Sequence, residues 1–338
     1  LPGILARWTD GLLGGAVPAA VLWLAFTVAL AGAVAGLASA FSGVASYIER
    51  KVAAHMQSRM GPMVVGPHGI FQWMADGLKV MVKEDLIPAG ADRPLFRLAP
   101  YVVFLGSVTV YLVLPFARGL SIADLDIGIL YMVAVSSLVV MGLLMSGWAS
   151  GNKWALFGAM RSAAQIVSYE IPIGITIITV VMLVGSLSMQ AIVGAQVRGV
   201  PFDLPLPRAL DPGGDGWGGC FGWFLFRYPP FTLAAFLIYF TASLAETNRT
   251  PFDIPEAESE LVAGFHTEYS GMRFSAYFMA EYANMLAVAG IATTLFLGGW
   301  LSPVPWGLAD LFSGSPVLAG TLIGLSLTAV VGYLTFVA

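Results

Sequence analysis

Apolar residues run along this chain in blocks of about twenty, and the charged residues are gathered mostly into the loops between them. Blocks of that length let an α-helix cross the roughly 30 Å of bilayer hydrocarbon while satisfying its own backbone donors and acceptors. The pattern predicts seven spans, near 17–46, 97–116, 128–147, 164–187, 229–246, 276–299 and 316–337. The first is long enough to tilt or to project beyond the bilayer. It lacks the basic flank and small-residue cleavage site of a signal peptide, and reads as a retained helix. A shorter periodic segment breaks the loop that follows. In residues 69–84, Ile70, Phe71, Trp73, Met74, Leu78, Met81 and Val82 fall mostly at helical spacing, opposite Asp76, Lys79, Lys83 and Glu84. This predicts an amphipathic helix lying in the membrane interface, packed on the protein, or both. The expected fold is all-α and polytopic, with residues 1–338 forming one integral-membrane domain.

Composition agrees. The chain is 58% hydrophobic and 11% charged, with a mean hydropathy of +0.82, where a soluble domain carries about 25% charged residues. Of its 16 lysines and arginines, 11 fall on one side: Arg50, Lys51, Arg59, Lys79, Lys83, Arg93, Arg97, Lys153, Arg161, Arg249 and Arg273. By the positive-inside rule that side is cytoplasmic, which places the N-terminus outside. A net charge of −4 excludes a phosphate-binding nucleic-acid surface. The one cysteine, Cys220, rules out a disulfide within the chain and any iron–sulfur cluster held by its own thiolates. His55, His68 and His266 lack a paired metal spacing, so no metal site is predicted. A formal G-x-G-x-x-G at Gly214, Gly216 and Gly219 lies in a Gly-rich loop without the strand and helix a dinucleotide site needs.

The chemistry is carried by acids. Glu170 and Glu281 stand inside apolar spans, and Glu246 ends another. An ionised carboxylate in hydrocarbon costs roughly 2.5–3.5 kcal/mol on insertion scales, so it needs a partner, a proton or water. After Glu246 come Asp253, Glu256, Glu258 and Glu260, with only Arg249 among them. A solvated acidic loop and isolated interhelical hydrogen bonds are the plain readings. Carboxylates crowded at low dielectric cannot all ionise, however, and groups that share protons can pass them on. At the end of the first span, Glu49 beside Arg50 and Lys51 reads as an anchoring or ion-pair cluster.

Several runs together resemble the H subunit of bacterial respiratory complex I, the proton-pumping NADH:quinone oxidoreductase whose mitochondrial counterpart carries the homologue as its first core membrane subunit. They are Ile48-Glu49-Arg50-Lys51 to Arg59-Met60-Gly61-Pro62, Lys83-Glu84-Asp85, Ser146 to Lys153, Arg161 to Gln165 with Ser168-Tyr169-Glu170, Arg249-Thr250-Pro251-Phe252-Asp253, Pro255 to Glu258, and Phe296 to Trp300. The resemblance implies a bacterial inner-membrane protein at the junction of the membrane and peripheral arms. It would help form the cavity where quinone is reduced, as one part of an enzyme and without catalysis of its own. Quinone is then the substrate, while flavin and iron–sulfur clusters belong to partner subunits.

By the same resemblance, Glu170, Glu246, Glu256, Glu258, Glu260 and Glu281 form an acidic series for proton coupling, with Arg249 as counter-charge. Arg50, Arg59, Asp76, Gly77, Lys79 and Phe252 are expected at the quinone cavity, between the first helix, the amphipathic helix and the sixth. The chain departs from the family at Met63-Val64, where many relatives carry Asn-Arg, and at Ser137, where many carry glutamate. It also stops before the family's C-terminal loop and eighth helix. The equivalent protein of a membrane-bound hydrogenase or of a ferredoxin- or deazaflavin-linked complex is an alternative reading, as is a non-catalytic membrane anchor.

Overall fold

The computed structural model describes residues 19–116, 121–197, 222–249, 251–255 and 258–299. Among these residues there is no strand. The helices are α1 (Ala19–Met56), α2 (Gln72–Val82), α3 (Arg93–Thr109), α4 (Gly128–Ala149), α5 (Lys153–Val184), α6 (Met189–Val197), α7 (Phe224–Arg227), α8 (Phe231–Glu246), α9 (Glu258–Leu261) and α10 (Gly271–Phe296). Six of the seven predicted spans appear, as α1, α3, α4, α5, α8 and α10. The seventh, 316–337, lies outside the described residues, as do Cys220 and the Gly214–Gly219 pattern. Among the described residues, five helices are long and apolar enough to cross a membrane, and α8 is a shorter apolar helix. The chain is an all-helical, multi-pass membrane protein.

Two spans are longer than the hydropathy pattern predicts. Helix α5 begins at Lys153 rather than near 164, because Asn152 caps it by accepting a hydrogen bond from the Trp154 N–H at 2.9 Å. Its 32 residues extend for about 48 Å, well beyond the roughly 30 Å of bilayer hydrocarbon. Likewise α1 continues to Met56 through the charged Glu49-Arg50-Lys51 turn. Polar side chains end an apolar window without ending a helix. The predicted amphipathic segment forms α2, with Leu78, Met81 and Val82 exposed.

Close packing follows from small residues at the crossings. A Cβ on Gly142 would come within 2.4 Å of Val103, and one on Gly147 within 2.3 Å of the Ala159 Cβ, so α4 meets both α3 and α5 nearly backbone to backbone. The centre of the molecule is α10, whose most apolar window is 78% buried, against 17% for α1. Two buried tyrosines tie neighbours to it: Tyr111 donates to the Ala283 carbonyl at 2.5 Å, and Tyr239 to the Val288 carbonyl at 3.1 Å. Glu281 therefore sits on the best-supported helix of the fold.

The loops of the basic side are cross-linked. Arg273 pairs with Asp85 at 2.9 Å, Asn152 donates to Glu268 at 2.7 Å, and Arg161 pairs with Glu260 at 2.5 Å. These contacts hold the 3₁₀ turn Gly264–His266 against α4 and α5.

Candidate functional site

Where α1 meets α10, the loops of the basic side border an open cavity of about 450 Å³. From α1 it receives Ser46, Glu49, Arg50 and Ala53, and from α10 it receives Phe274, Tyr277, Phe278, Glu281 and Tyr282. Arg59, Arg249, Phe265 and His266 complete the wall from the loops. Its volume falls in the range of small-molecule sites, and its lining combines aromatic faces with a few convergent charges. Burial pushes the His266 imidazole down to about 4, so this ring is neutral near pH 7.

A second, much smaller pocket of about 20 Å³ lies among Glu246, Thr247, Asn248, Glu281 and Asn284. That is space for about one water molecule, and the walls offer polar partners for it. Phe265, Tyr277 and Glu281 line both spaces. Glu281 is the one acid among these three, and so borders both the cavity and the pocket that holds Glu246.

Arg249 organises the acids around the cavity. Its guanidinium donates to Glu49 Oε1 at 3.2 Å and stacks 4.8 Å from the centre of the Tyr282 ring. Burial alone would lower its pKa, but Glu281, Tyr282 and Glu49 act in the opposite sense and raise it overall. The Tyr282 hydroxyl donates to the other oxygen of Glu49. A single cation thus links helix α1 to helix α10 through the loop after α8. Gln165 on α5 fixes that loop, since its side-chain amide donates to the carbonyls of Ala245 and Phe252, both at 2.8 Å, and to Asn248 Oδ1 at 3.1 Å.

The predicted acids separate into three groups. Glu246 and Glu281 share the small pocket. Glu170 lies on α5, accepts from Ser136 at 3.4 Å, and is near enough to Glu246 for their charges to interact. Glu260 is at the outer surface, paired with Arg161. Glu256 lies outside the described residues, and Glu258 heads α9. Ser137 donates to the Val133 carbonyl of its own helix.

Of the six residues expected at the cavity, Arg50 and Arg59 line it. Asp76 reaches it through Arg50, at 2.5 Å, which ties α2 to α1. Gly77, Lys79 and Phe252 are not brought to this wall. Gly77 and Lys79 lie on exposed parts of α2, and Phe252 packs edge-on against Tyr169 at 5.4 Å.

Sequence reasoning missed Tyr282, Tyr277, Phe265, Phe274 and Phe278 as lining residues, and read Glu49 as a partner for its basic neighbours. Phe274, Tyr277, Phe278 and Tyr282 follow a three- and four-residue spacing that includes Glu281's flank, a legible stripe once α10 is known to face a cavity. The Glu49–Arg249 pair spans 200 residues and has no local signal.

Comparison with known proteins gives the lineage. The family model described as NADH dehydrogenase matches residues 28–338. The chain is 49% identical over 277 residues to an NADH-quinone oxidoreductase H subunit of Koribacter versatilis (strain Ellin345), covering 80% of this chain and 60% of that protein. It is 46% identical over 306 residues to the NADH-quinone oxidoreductase H subunit of Anaeromyxobacter dehalogenans (strain 2CP-C), covering 90% and 68%. To the protein of the same name in Chlorobaculum parvum it is 48% identical over 301 residues, covering 89% and 78%. The matched region is thus less than two thirds of the length of the first of these relatives, and more of the other two. With the family model matched along nearly the whole chain and relatives close to half identical, the chain belongs to the NADH dehydrogenase family.

Proposed function

We propose that this chain is the membrane subunit of a proton-translocating NADH:quinone oxidoreductase, placed where the membrane arm meets the electron-carrying arm. The cavity between α1 and α10 receives the quinone head group, and Glu281 hands the protonation change that accompanies its reduction to Glu246. The observation that carries this reading is the placement of Glu281 on both the large cavity and the small acidic pocket. Aromatic walls suit a planar quinone ring, and Arg50, Arg59 and Arg249 offer donors to its carbonyl oxygens. Electrons come from flavin and iron–sulfur clusters in partner subunits, because one cysteine supplies too few ligands here.

From Glu246 the route continues to Glu170, which is half-buried beside Ser136 on α4 and α5. A carboxylate at that depth calls for a protein neighbour rather than lipid, and other membrane subunits are its recipients. The basic side faces the cytoplasm and the N-terminus lies outside. A photoreactive quinone analogue added to the assembled complex tests the site. Labelling of residues 46–53 and 274–282, suppressed by excess quinone, is the expected result. Labelling that leaves both segments unmarked would refute the assignment.

A further inference from the structure

Among the described arginines, Arg93 and Arg97 alone make neither a side-chain hydrogen bond nor an ion pair. Arg50, Arg161, Arg249 and Arg273 each hold a carboxylate, Arg59 donates to Gln57, and Arg227 donates to the Ala195 carbonyl. Arg93 and Arg97 are one turn apart at the start of α3, with Tyr101 a turn further on and 62% exposed. This is the unfavourable end of a helix for cations, since its free N–H groups already carry positive potential. The first turn contains no acid, and Asp92 at the N-cap makes no capping hydrogen bond. Asp85, in the preceding loop, is engaged by Arg273.

Aromatic residues gather at the same level. The Asp92 N–H donates to the Ala149 carbonyl at 3.0 Å, which sets Trp148, 69% exposed, beside the start of α3. Lys153 lies 5.3 Å over the ring of Trp154, itself exposed. Down the span from the arginines, Leu98 and Leu105 face outward. Two arginines, an exposed tyrosine and outward-facing leucines thus follow one another along a helix long enough to cross the bilayer, with Trp148 and Trp154 at the ends of α4 and α5.

We propose that Arg93 and Arg97 bind the phosphate of an anionic phospholipid, with Tyr101 and Trp148 beside its upper acyl chains and Lys153 adding positive charge. A free phosphate would use the two guanidinium groups and leave the apolar stripe uncovered. A lipid uses both. None of these residues belongs to the cavity or to the acid series, so the site stands independently of the quinone assignment.

The test compares the purified complex with its Arg93→Gln/Arg97→Gln and Arg93→Lys/Arg97→Lys variants. Each is titrated with phosphatidylcholine vesicles with or without phosphatidylglycerol, and retained lipid is measured by mass spectrometry. The expected result is phosphatidylglycerol retention roughly tenfold weaker in the glutamine variant, largely restored in the lysine variant, and insensitive to millimolar inorganic phosphate. Equal retention in all three would overturn the proposal. Competition by inorganic phosphate would make this a free-anion site instead, and loss of a membrane subunit from the glutamine variant would make it a protein interface.

Discussion

Arg249 and Glu49 lie 200 residues apart in the chain and 3.2 Å apart in the fold, joining the loop after α8 to the end of α1. α1 is the least buried of the five long helices, and this ion pair and the Arg50–Asp76 pair tie its C-terminal half to the loop after α8 and to α2. Both partners of the first pair are partly exposed, at 20% and 36%, so solvent screening reduces its strength. Its position matters more than its energy, since the wall of the cavity is made where the two meet.

Replacing Glu49 by Gln keeps the shape and removes the charge. A charge-assisted hydrogen bond contributes about 1.5–3 kcal/mol when well buried, and about 1 kcal/mol is the expected loss at this partly exposed site. The melting temperature of the complex should fall slightly, while the KM for quinone should rise several-fold as Arg249 loses one of its partners. An unchanged KM would show that the pair does not shape the cavity.

Gly158 on α5 passes against the backbone of Gly264, where an added Cβ would stand 2.6 Å from the Gly264 carbonyl carbon. Backbone cannot yield as a flexible side chain does, and overpacking of this kind costs about 1–3 kcal/mol. Gly158→Ala should push the turn bearing Phe265 and His266 away from α5. Faster hydrogen exchange across 264–269 and a raised KM for quinone are expected, and wild-type exchange there would contradict the packing.

His266 gives a pH dependence of defined sign. Its ordinary value is 6.5, and burial in the fold pushes it to about 4, so between these values the unfolded chain binds the extra proton. Stability from this group is fully present above pH 6.5 and is lost as pH falls towards 4. His266→Phe should flatten that part of the melting-temperature profile, read against the wild type at the same ionic strength. An identical slope in the two proteins would remove His266 as its source.

Much of the fold was legible because lipid imposes a simple rule, and six apolar blocks became six helices. The rule says where hydrocarbon begins and nothing about where a helix ends, which is why Asn152 and the charged turn after Ser46 moved two boundaries by about ten residues. Glu170, Glu246 and Glu281 were visible because a carboxylate in an apolar block is conspicuous. Glu281's two-sided position was not, since it depends on Phe265 and Tyr277 arriving from either side of Ser270. Phe252 shows the converse: its motif places it near the site, while Gln165 and Tyr169 turn it towards α5.

Proton pumping by the reconstituted complex carrying Glu281→Gln tests the central claim most directly, with Glu246→Gln as its companion. Protons translocated per electron and the rate of NADH:quinone reduction should be measured together on normally assembled enzyme. The predicted result is loss of most pumping in both variants, with quinone reduction slowed as coupling fails. Normal assembly with wild-type stoichiometry and rate in both would contradict it, and would leave these glutamates as structural hydrogen-bonding groups in a membrane anchor.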